Sequence, residues 1–319
     1  MKKVAILVAD NLLAKPDEPL AGDPACDIEK REYREELDKL VSAFAQVGVL
    51  LEPVPWRQAA SKAAEYEAML PLLCWDYFQG NHAVFMEEMD KVSKVGNNCK
   101  LFNPVELLRW NGKKDYLEEL ERLGAPSIRT VSLPKVTEES VAKAMEELKA
   151  DKVVIKPKVG GSSWRQVLYS KDEPFPSEDE LPPEDALVQP FLPSVVVEGE
   201  YSFLYFGGEF SHGLVKRPKK GDYRVQGLFG GTEETYDPTD AELQDAQAVL
   251  DTLTIKPLYA RVDLLRGTDG GLKLIELEMV EPYLYLPLAP GEGKDNRGAQ
   301  LLAKSVCRLL QNNEHVSVQ

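Results

Sequence analysis

Histidine and cysteine, on which many catalytic and metal sites depend, are scarce in this chain of 319 residues. The histidines are scattered, which argues against a zinc site or a histidine-based triad; they are His82, His212 and His315. The four cysteines form no CxxC pair; they are Cys26, Cys74, Cys99 and Cys307. Because widely separated cysteines are typical of a reduced compartment, we expect a cytoplasmic location and cysteines that only pack.

Long hydrophobic runs and an excess of positive charge are also missing. The start, MKKVAILVAD, is too short an apolar run for a signal peptide or a membrane span, and it predicts a first strand. The net charge of −15 argues against nucleic acid or an anionic membrane as a partner. GxxxxGK[ST] is absent, and no GxGxxG follows the first strand. A nucleotide would therefore have to be held in another way.

The first hundred residues predict a parallel sheet with helices on its faces. Hydrophobic spacing predicts a strand at 4–9, a Pro/Asp/Gly-rich loop to about Asp27, a helix from Tyr33 to Val47, and strands at Val49 to Val54 and Ala68 to Cys74. The last of these strands ends at Trp75, Asp76 and Tyr77. Ligands of open α/β sheets lie at the carboxyl ends of the strands, so these three residues are candidate substrate contacts. Packing alone is the alternative.

The rest of the chain mixes helices and strands. The pattern predicts a helix at 104–123, a helix at 137–150, a strand-loop-strand unit at 152–169, an exposed connection at 172–185, strands from 187 to 286, and a last helix at Arg297 to Leu310 before a polar tail. We predict three units: an N-terminal α/β domain at 1–101, a central lobe at 102–188 and a C-terminal lobe at 189–319.

The stretch from Tyr259 to Pro282 predicts a hairpin with carboxylates on one face. Strand alternation gives one apolar face, made of Ala260, Val262, Leu264, Ile275, Leu277 and Met279. The other face carries Arg261, Asp263, Glu276 and Glu278, with Asp263 nearly opposite Glu276. Like charges directly opposite each other destabilise a sheet by roughly 0.2–1 kcal/mol, and a hard cation such as Mg²⁺ would relieve this repulsion. The alternative is a solvated face that keeps a sheet edge soluble.

Three further segments could bind a nucleotide. In VVIKPKVGGSSWRQVLY, a strand delivers Lys156 to a Gly-rich loop, Gly160–Ser163, whose backbone N–H groups could hold phosphate; the alternative is an ordinary hairpin turn. Gln189 and Pro190 interrupt an apolar strand, and such a hinge could read an adenine edge, with Glu198 or Glu200 for the ribose; the alternative is a plain strand end.

The third segment, here called the basic segment, is 216–232. It holds five cations within nine residues and then GLFGGT; the cations are Lys216, Arg217, Lys219, Lys220 and Arg224. Glycines beside cations indicate a loop that closes on an anion. A solvated turn is the alternative.

Several elements follow one another in the order found in the ATP-grasp superfamily, which the chain therefore resembles. They are the predicted helix with Lys113 and Lys114, Lys156 with its Gly-rich loop, the Gln-Pro hinge, the basic segment and Asp…Glu-x-Glu. Prokaryotic glutathione synthetases and D-alanine–D-alanine ligases are members. The likeness covers about 102–310, and the N-terminal region looks like the pre-ATP-grasp domain. The stretch NPVELLRWNGKKDYLEELERLGAP is most similar to the branch with the O-ureido-serine cyclo-ligase of cycloserine biosynthesis. The resemblance implies an ATP-grasp fold with an N-terminal Rossmann-like domain.

The resemblance also implies roles for these residues. Lys114, or its neighbour Lys113, and Lys156 would bind the ATP phosphates, with Gly160, Gly161, Ser162 and Ser163 above them. Adenine would lie at Gln189, Pro190, Phe191 and Leu192. Asp263, Glu276 and Glu278 would hold Mg²⁺, in two ions, with Mn²⁺ as a substitute; many relatives have Asn where this chain has Glu278. The substrate candidates are Trp75, Asp76, Tyr77, Lys216, Arg224, Tyr283 and Tyr285.

The implied reaction is attack of a substrate carboxylate on the γ-phosphate of ATP, giving an acyl phosphate that a nitrogen nucleophile then displaces. Arg224 would stabilise the developing oxyanion, and Lys156 the transferred phosphate. The partners would be small-molecule carboxylates and amines, and a homodimer is common among such proteins. Two alternatives keep the same fold: a small-molecule kinase and a nucleotide-sensing module without turnover.

Overall fold

A computed structural model describes residues 1–12, 24–78, 81–95 and 99–312. Most of the predicted Pro/Asp/Gly-rich loop and of the polar tail lies outside these ranges. Within them the chain forms three sheets, one parallel and two antiparallel. The predicted mixture of α/β and α+β architecture is confirmed.

The first sheet is parallel and has the order β2-β1-β3-β4. Its elements are β1 (Lys2–Val8), α1 (Pro24–Gln46), β2 (Val49–Pro55), α2 (Ala59–Lys62), β3 (Ala68–Leu73), α3 (His82–Lys94) and β4 (Lys100–Leu101). The run Val4 to Val8 is fully buried because the sheet is covered on both faces. Gly48 follows α1 with a φ of 74°, the left-handed conformation that commonly ends a helix. The predicted βαβ unit is confirmed.

The second sheet is antiparallel and has the order β5-β8-β6-β7. This region contains α4 (Val105–Asn111), α5 (Tyr116–Arg122), β5 (Val131–Leu133), α6 (Glu138–Leu148), β6 (Lys152–Pro157), β7 (Val167–Ser170) and β8 (Ala186–Pro190). The strand-loop-strand prediction at 152–169 is confirmed. The single helix predicted at 104–123 is wrong, because the chain turns between α4 and α5. The backbone N–H of Lys114 there donates to the carbonyl of Lys158 (2.9 Å) instead of to a helical carbonyl.

The third sheet is antiparallel and has the order β11-β10-β9-β12-β13. Its region contains α7 (Ser194–Val197), β9 (Glu200–Phe206), β10 (Glu209–Arg217), β11 (Thr232–Tyr236), α8 (Asp240–Asp251), β12 (Tyr259–Arg266), β13 (Leu272–Glu278) and α9 (Arg297–Asn312). Apolar residues of α8 cover one face, and they pack on side chains such as Phe203 and Val262. The predicted domain limits stay predictions; β8 runs across the limit placed at residue 188.

The hairpin of β12 and β13 confirms the predicted register, because Asp263 lies opposite Glu276 and Arg261 opposite Glu278. The prediction that Ile275 shares the apolar face of Leu277 is wrong. A β-bulge interrupts the pairing between Asp263 and Leu264, so that Leu264 pairs with Leu274 and leaves Ile275 extra. Ile275 consequently packs with Leu265 in a separate small cluster. Bulges are frequent beside active sites, where they re-aim groups.

One carboxyl is completely buried where α1 meets the segment after β13. The side chain of Glu36 has no exposed surface, and its Oε1 accepts the backbone N–H of Leu286 (3.4 Å). Burial raises the pKa of this carboxyl to about 8, and the backbone N–H groups of Leu284 to Leu286 and the charge of Arg261 oppose the rise only in part. Ionisation of the Glu36 carboxyl therefore opposes folding.

We predict that Glu36→Gln stabilises the protein more at pH 9 than at pH 5. Between the ordinary glutamate pKa and about 8 the folded state binds more protons than the unfolded state, so the stability contribution of Glu36 falls as pH rises through this window. Thermal unfolding of both proteins at several pH values measures the effect. Because Glu35 is exposed, Glu35→Gln is the control and should show no such trend. A difference between Glu36→Gln and the parent that does not change with pH would contradict the prediction.

Candidate active site

Alternation along four neighbouring strands gathers charged side chains on one face of the third sheet. Arg261 and Asp263 come from β12 and Glu276 and Glu278 from β13. Cross-strand pairing adds residues of the same face, since Ser202 lies opposite Asp263 and Glu200 opposite Lys216. Asp263 is only 2% exposed, so these charges meet in a poorly solvated place. Such a place requires that each charge be paired.

Arg261 and Lys216 supply positive charge from within the sheet. The Arg261 Nε and Nη2 atoms bond the carboxylate of Asp263 at 2.9–3.1 Å, and Nη2 also bonds Glu278. Lys216 Nζ pairs with Glu200 and lies 3.6 Å from Asp263 Oδ1. The Ser202 hydroxyl donates to Asp263 as well. Arg261 thus lies within the site, although the sequence pattern only placed it on the carboxylate face and gave it no role.

Two lysines reach the same face from the central region. Lys114 Nζ lies 2.8 Å from Glu276 Oε1 and donates to the Gly160 carbonyl at 2.7 Å. Lys156 Nζ donates to the carbonyl of Ile275 at 3.3 Å, which is the carbonyl of the bulge residue. Lys113, in contrast, is exposed. The structure therefore brings Lys114 and Lys156 together and leaves Lys113 outside.

We call these side chains, with the nearby Glu281, the charged cluster. It contains four cations and five carboxylates: Lys114, Lys156, Lys216, Arg261, Glu200, Asp263, Glu276, Glu278 and Glu281. Burial opposes the charge of Asp263, but Arg261 and Lys216 outweigh it and hold the pKa at about 2. Burial raises the pKa of Glu278 to about 7, and Asp263 and Glu276 add to the rise against the attraction of Arg261. Burial and neighbouring carboxylates thus favour the neutral form of Glu278, whereas Asp263 stays ionised beside Arg261.

The donor set of the cluster suits Mg²⁺. No three acidic, histidine or cysteine side chains of the described ranges converge in the geometry of a metal site, since the carboxylates turn toward their cations. Asp263, Glu276 and Glu278 nevertheless present hard oxygen donors on adjacent strands. Burial first, and the charges of Asp263 and Glu276 second, raise the pKa of Glu278, and a divalent cation would favour its ionised form. Their role as metal ligands stays a prediction.

The Gly-rich loop and the basic segment meet beside the cluster. The Ser163 hydroxyl donates to Gln226 Oε1 at 3.0 Å, and the Gly160 carbonyl accepts from Lys114. Ser162 and Ser163 have φ values of 49° and 57°, which are uncommon for residues other than glycine. Arg224 does not join Arg261: its guanidinium bonds Asp222 (2.8 Å) and stacks on Phe229, within the basic segment.

The segment at Gln189 and Pro190 was predicted to be a hinge that reads an adenine edge. It differs from that prediction in its backbone and in the position of the Gln189 side chain. β8 continues through Pro190, and the N–H of Phe191 donates to the Lys152 carbonyl, so the strand is not broken at Gln189. The amide of Gln189 is buried and donates to Thr130 Oγ1 (2.9 Å). Glu200 lies in the charged cluster, whereas Glu198 pairs with Arg266 (2.7 Å) on the helix-covered side. Leu192 begins the turn into α7.

The predicted substrate residues separate into two groups. The carboxylate of Asp76 is hydrogen-bonded within the N-terminal sheet region, where it accepts from Trp56 Nε1 (2.7 Å) and Arg57 (2.8 Å). Tyr77 packs on Phe85, and its hydroxyl pKa is raised by burial and by Glu281. The other group consists of Trp75, Tyr283 and Tyr285, which share an aromatic cluster next to Arg261.

Sequence reasoning missed the side chains that hold β13 in place. Asn103 donates to the carbonyls of Tyr259 (3.0 Å) and Met279 (2.8 Å). Asn111 donates to Leu277 O and accepts from Met279 N–H, and the Tyr116 hydroxyl accepts from Leu277 N–H (3.0 Å). The signal was in the quoted stretch NPVELLRWNGKKDYL, which contains all three residues and Lys114.

No helix of the described ranges combines the length and the apolar character that a membrane crossing requires.

Comparison with known proteins bears on the fold and the ancestry of the chain. Residues 5–103 match the family model for the N-terminal domain of the D-cycloserine synthetase DcsG. The chain is 26% identical over 287 residues to the cycloserine biosynthesis protein DcsG of Streptomyces lavendulae, which covers 84% of this chain and 93% of that protein.

Solved structures agree with this similarity. The crystal structure of D-cycloserine synthetase DcsG matches with a TM-score of 0.78 and 23% identity, covering 97% of this chain and 99% of that one. The D-alanine–D-alanine ligase from Bacillus anthracis, complexed with ATP, matches with a TM-score of 0.61 and 13% identity over 98% of this chain and all of that one. The expected ATP-grasp fold is confirmed, and in sequence the chain is similar to the DcsG protein of cycloserine biosynthesis.

Proposed function

We propose that the protein is an ATP-dependent ligase. It activates a small carboxylate as an acyl phosphate, which a nitrogen nucleophile attacks with release of ADP and phosphate. The observation that carries the proposal is the charged cluster, in which Lys114 and Lys156 reach the carboxylate face of β12 and β13. The ligases among the similar proteins support it.

The pairing within the cluster explains how it would accept a nucleotide. Lys114 pairs with Glu276, and Lys216 pairs with Glu200. Bound phosphate oxygens would pair with Lys114 and Lys216 and would leave Glu276 and Glu200 without partners. A carboxylate charge that is largely buried costs free energy when it has no partner. Cations must therefore arrive with the nucleotide. Mg²⁺, when bound, would neutralise phosphate and carboxylate oxygens together, with Asp263, Glu276 and Glu278 as the protein ligands; two ions, replaceable by Mn²⁺, belong to the proposal.

The geometry favours Arg261 over Arg224 for the acyl-transfer step. Arg261 is fixed by Asp263 and by the carbonyl of Tyr283 (3.2 Å), with its guanidinium at the centre of the cluster. A donor fixed in this way can stabilise the oxyanion that forms as the nitrogen attacks, without having to reorganise. The Gly-rich loop and the basic segment, joined through Ser163 and Gln226, would keep water from the acyl phosphate. Arg224 would join only if its segment moved.

We propose adenine binding by 189–192 and ribose binding by Glu200, because Glu200 lies in the cluster and Glu198 does not. The cytoplasmic location and a homodimer stay predictions from cysteine content and from relatives. A stable phosphorylated metabolite in phosphorus NMR would favour the alternative of a kinase.

We predict that ADP and phosphate appear together when the protein is supplied with ATP, Mg²⁺, a suitable carboxylate and an amine. Glu276→Gln should lower turnover at least about 100-fold, because the substitution removes a negative charge that would bind the metal. The same charge pairs with Lys114, so this ion pair is lost as well. A coupled ADP assay with parallel phosphate detection measures both products. Formation of AMP and pyrophosphate would contradict the acyl-phosphate mechanism.

Lys113 and Lys114 provide a matched pair. Lys114→Ala should lower kcat/KM for ATP about 100-fold, because a buried charged partner of the phosphates is lost, whereas Lys113→Ala should stay within about threefold. Steady-state kinetics at varied ATP gives both values, and thermal unfolding checks that each variant is folded. Equal losses in the two variants would show that the buried lysine is not the one that binds phosphate.

The two arginines can be separated in the same way. Arg261→Lys should lower kcat about 100-fold or more, because lysine cannot reproduce the forked contact, while Arg224→Lys should cost less than about tenfold. The measurement is kcat at saturating substrates. A larger loss of kcat for Arg224→Lys than for Arg261→Lys would contradict this assignment and would favour Arg224 as the residue that stabilises the oxyanion.

A further inference from the structure

Lys158 is a buried lysine that does not belong to the charged cluster. It stands where β6 passes into the Gly-rich loop, two residues after Lys156 and two before Gly160. Only 9% of the residue is exposed. A lysine is almost never buried to this extent unless its charge is paired, so its surroundings must supply partners.

Two carboxylates pair with the side chain of Lys158. Its Nζ donates to Asp115 Oδ1 and lies 3.7 Å from Asp185 Oδ2. Asp115 comes directly before α5, and Asp185 comes directly before β8. The charge of Lys158 therefore holds three segments of the central region against one another: the end of β6, the turn that leads into α5 and the start of β8.

Hydrogen bonds to the backbone join the same segments. The carbonyl of Lys158 accepts the N–H of Lys114 (2.9 Å), and the N–H of Lys158 donates to the carbonyl of Asp185 (3.4 Å). Gly160 accepts from Lys114 Nζ (2.7 Å). Three hydrogen bonds thus connect Lys114 and Asp115 with Lys158 and Gly160, and we call these three bonds the turn–loop link.

The turn–loop link bears on where the charge of Lys114 lies. Lys114 belongs to the turn between α4 and α5, and its neighbour Lys113 is exposed. Lys114 is buried, and its Nζ reaches Glu276 Oε1 at 2.8 Å. Loss of the Lys158 charge would break the link at Asp115, the residue next to Lys114. The turn would then be free to shift relative to the Gly-rich loop.

We propose that Lys158 is a positioning residue for nucleotide binding. By pairing with Asp115 it holds Lys114 at the carboxylate face, where Lys114 binds the phosphates of ATP. This inference rests on the proposed function, because that function assigns Lys114 to ATP. Lys158 itself does not contact the phosphates, since two carboxylates engage its Nζ.

Single variants distinguish positioning from direct contact. The probe is a non-hydrolysable ATP analogue with Mg²⁺, titrated by calorimetry into variants whose folding is checked by thermal unfolding. Lys158→Met should weaken binding of the analogue about tenfold, because Lys114 is no longer held in place. Asp115→Asn should weaken it about threefold, because Asp185 still lies near Lys158. Lys158→Arg keeps a charge that can pair with both carboxylates and should recover most of the affinity.

The sign of the Asp115→Asn effect decides between the two roles. If Lys158 bound phosphate directly, loss of the Asp115 charge would release its Nζ and tighten binding of the analogue. Tighter binding in Asp115→Asn would therefore overturn the inference. Unchanged binding in Lys158→Met would overturn it as well.

A double variant tests whether Lys158 acts through Lys114. In the Lys114→Ala background, Lys158→Met should weaken binding of the analogue by less than about twofold more, because the charge that it positions is already absent. A further loss as large as that in the parent background would show that Lys158 acts independently of Lys114, and it would overturn the inference.

An exposed ion pair on the same hairpin provides the matched control. Lys171 pairs with Asp151 at the opposite end of β6 and β7, and both side chains are more than half exposed. Lys171→Met and Asp151→Asn make the same changes of charge and should leave binding of the analogue within about twofold of the parent. Equal losses in the control pair would assign the effect to net charge and overturn the inference.

Steady-state kinetics separates this inference from the proposed function. Lys158→Met should raise KM for ATP about tenfold and leave kcat within about threefold, because saturating ATP draws Lys114 back to the phosphates. A lower kcat with unchanged affinity for the analogue would overturn the positioning role and leave the ligase standing. If the analogue binds in the expected pattern but no pair of substrates yields ADP, the ligase is contradicted and the positioning role stands.

Discussion

The free edge of β13 is the feature on which the site depends. β13 is the last strand of its sheet, so on one side no other strand of the described residues pairs with it, and only an isolated bridge joins Ser127 to Leu274 there. The central region supplies partners along that side. Leu274 exchanges hydrogen bonds with Pro126 and Ile128, and Ile275 accepts from Lys156. Leu277 and Met279 bond with Tyr116 and Asn111.

The contacts along this edge hold the two antiparallel sheets together. They also bring the charged side chains of both regions to one place. An unpaired backbone group in a buried place costs as much as a lost hydrogen bond, so each contact along the edge is strongly favoured. The contacts fix where Glu276 and Glu278 point, and they deliver Lys114 and Lys156 to the same face. The same contacts therefore cover the edge of β13 and assemble the site. The bulge at Ile275 contributes by turning one carbonyl toward Lys156.

Much of this could be predicted from the sequence, because the information was local. Period-two alternation gave the carboxylate face and the pairing of Asp263 with Glu276, and helical spacing gave α1 and α9. The bulge could not be predicted, since alternation assumes that no residue is extra. The turn between α4 and α5 depends on the carbonyl of Lys158, over forty residues away. The position of Arg224 on Phe229 depends on how the basic segment folds on itself, which composition does not specify.

Glu36 is another residue whose environment could not be predicted from the sequence. In sequence it is one of several acidic residues on an amphipathic helix, and it stands three residues after Tyr33 and four before Leu40. Only the packing of α1 on the segment 284–286 makes it a fully buried acid within electrostatic range of Arg261. A glutamine of the same shape would satisfy the Leu286 N–H without the cost of a buried charge. The charge of Glu36 thus opposes folding because the packing of α1 buries it, and the sequence of the helix alone does not reveal that cost.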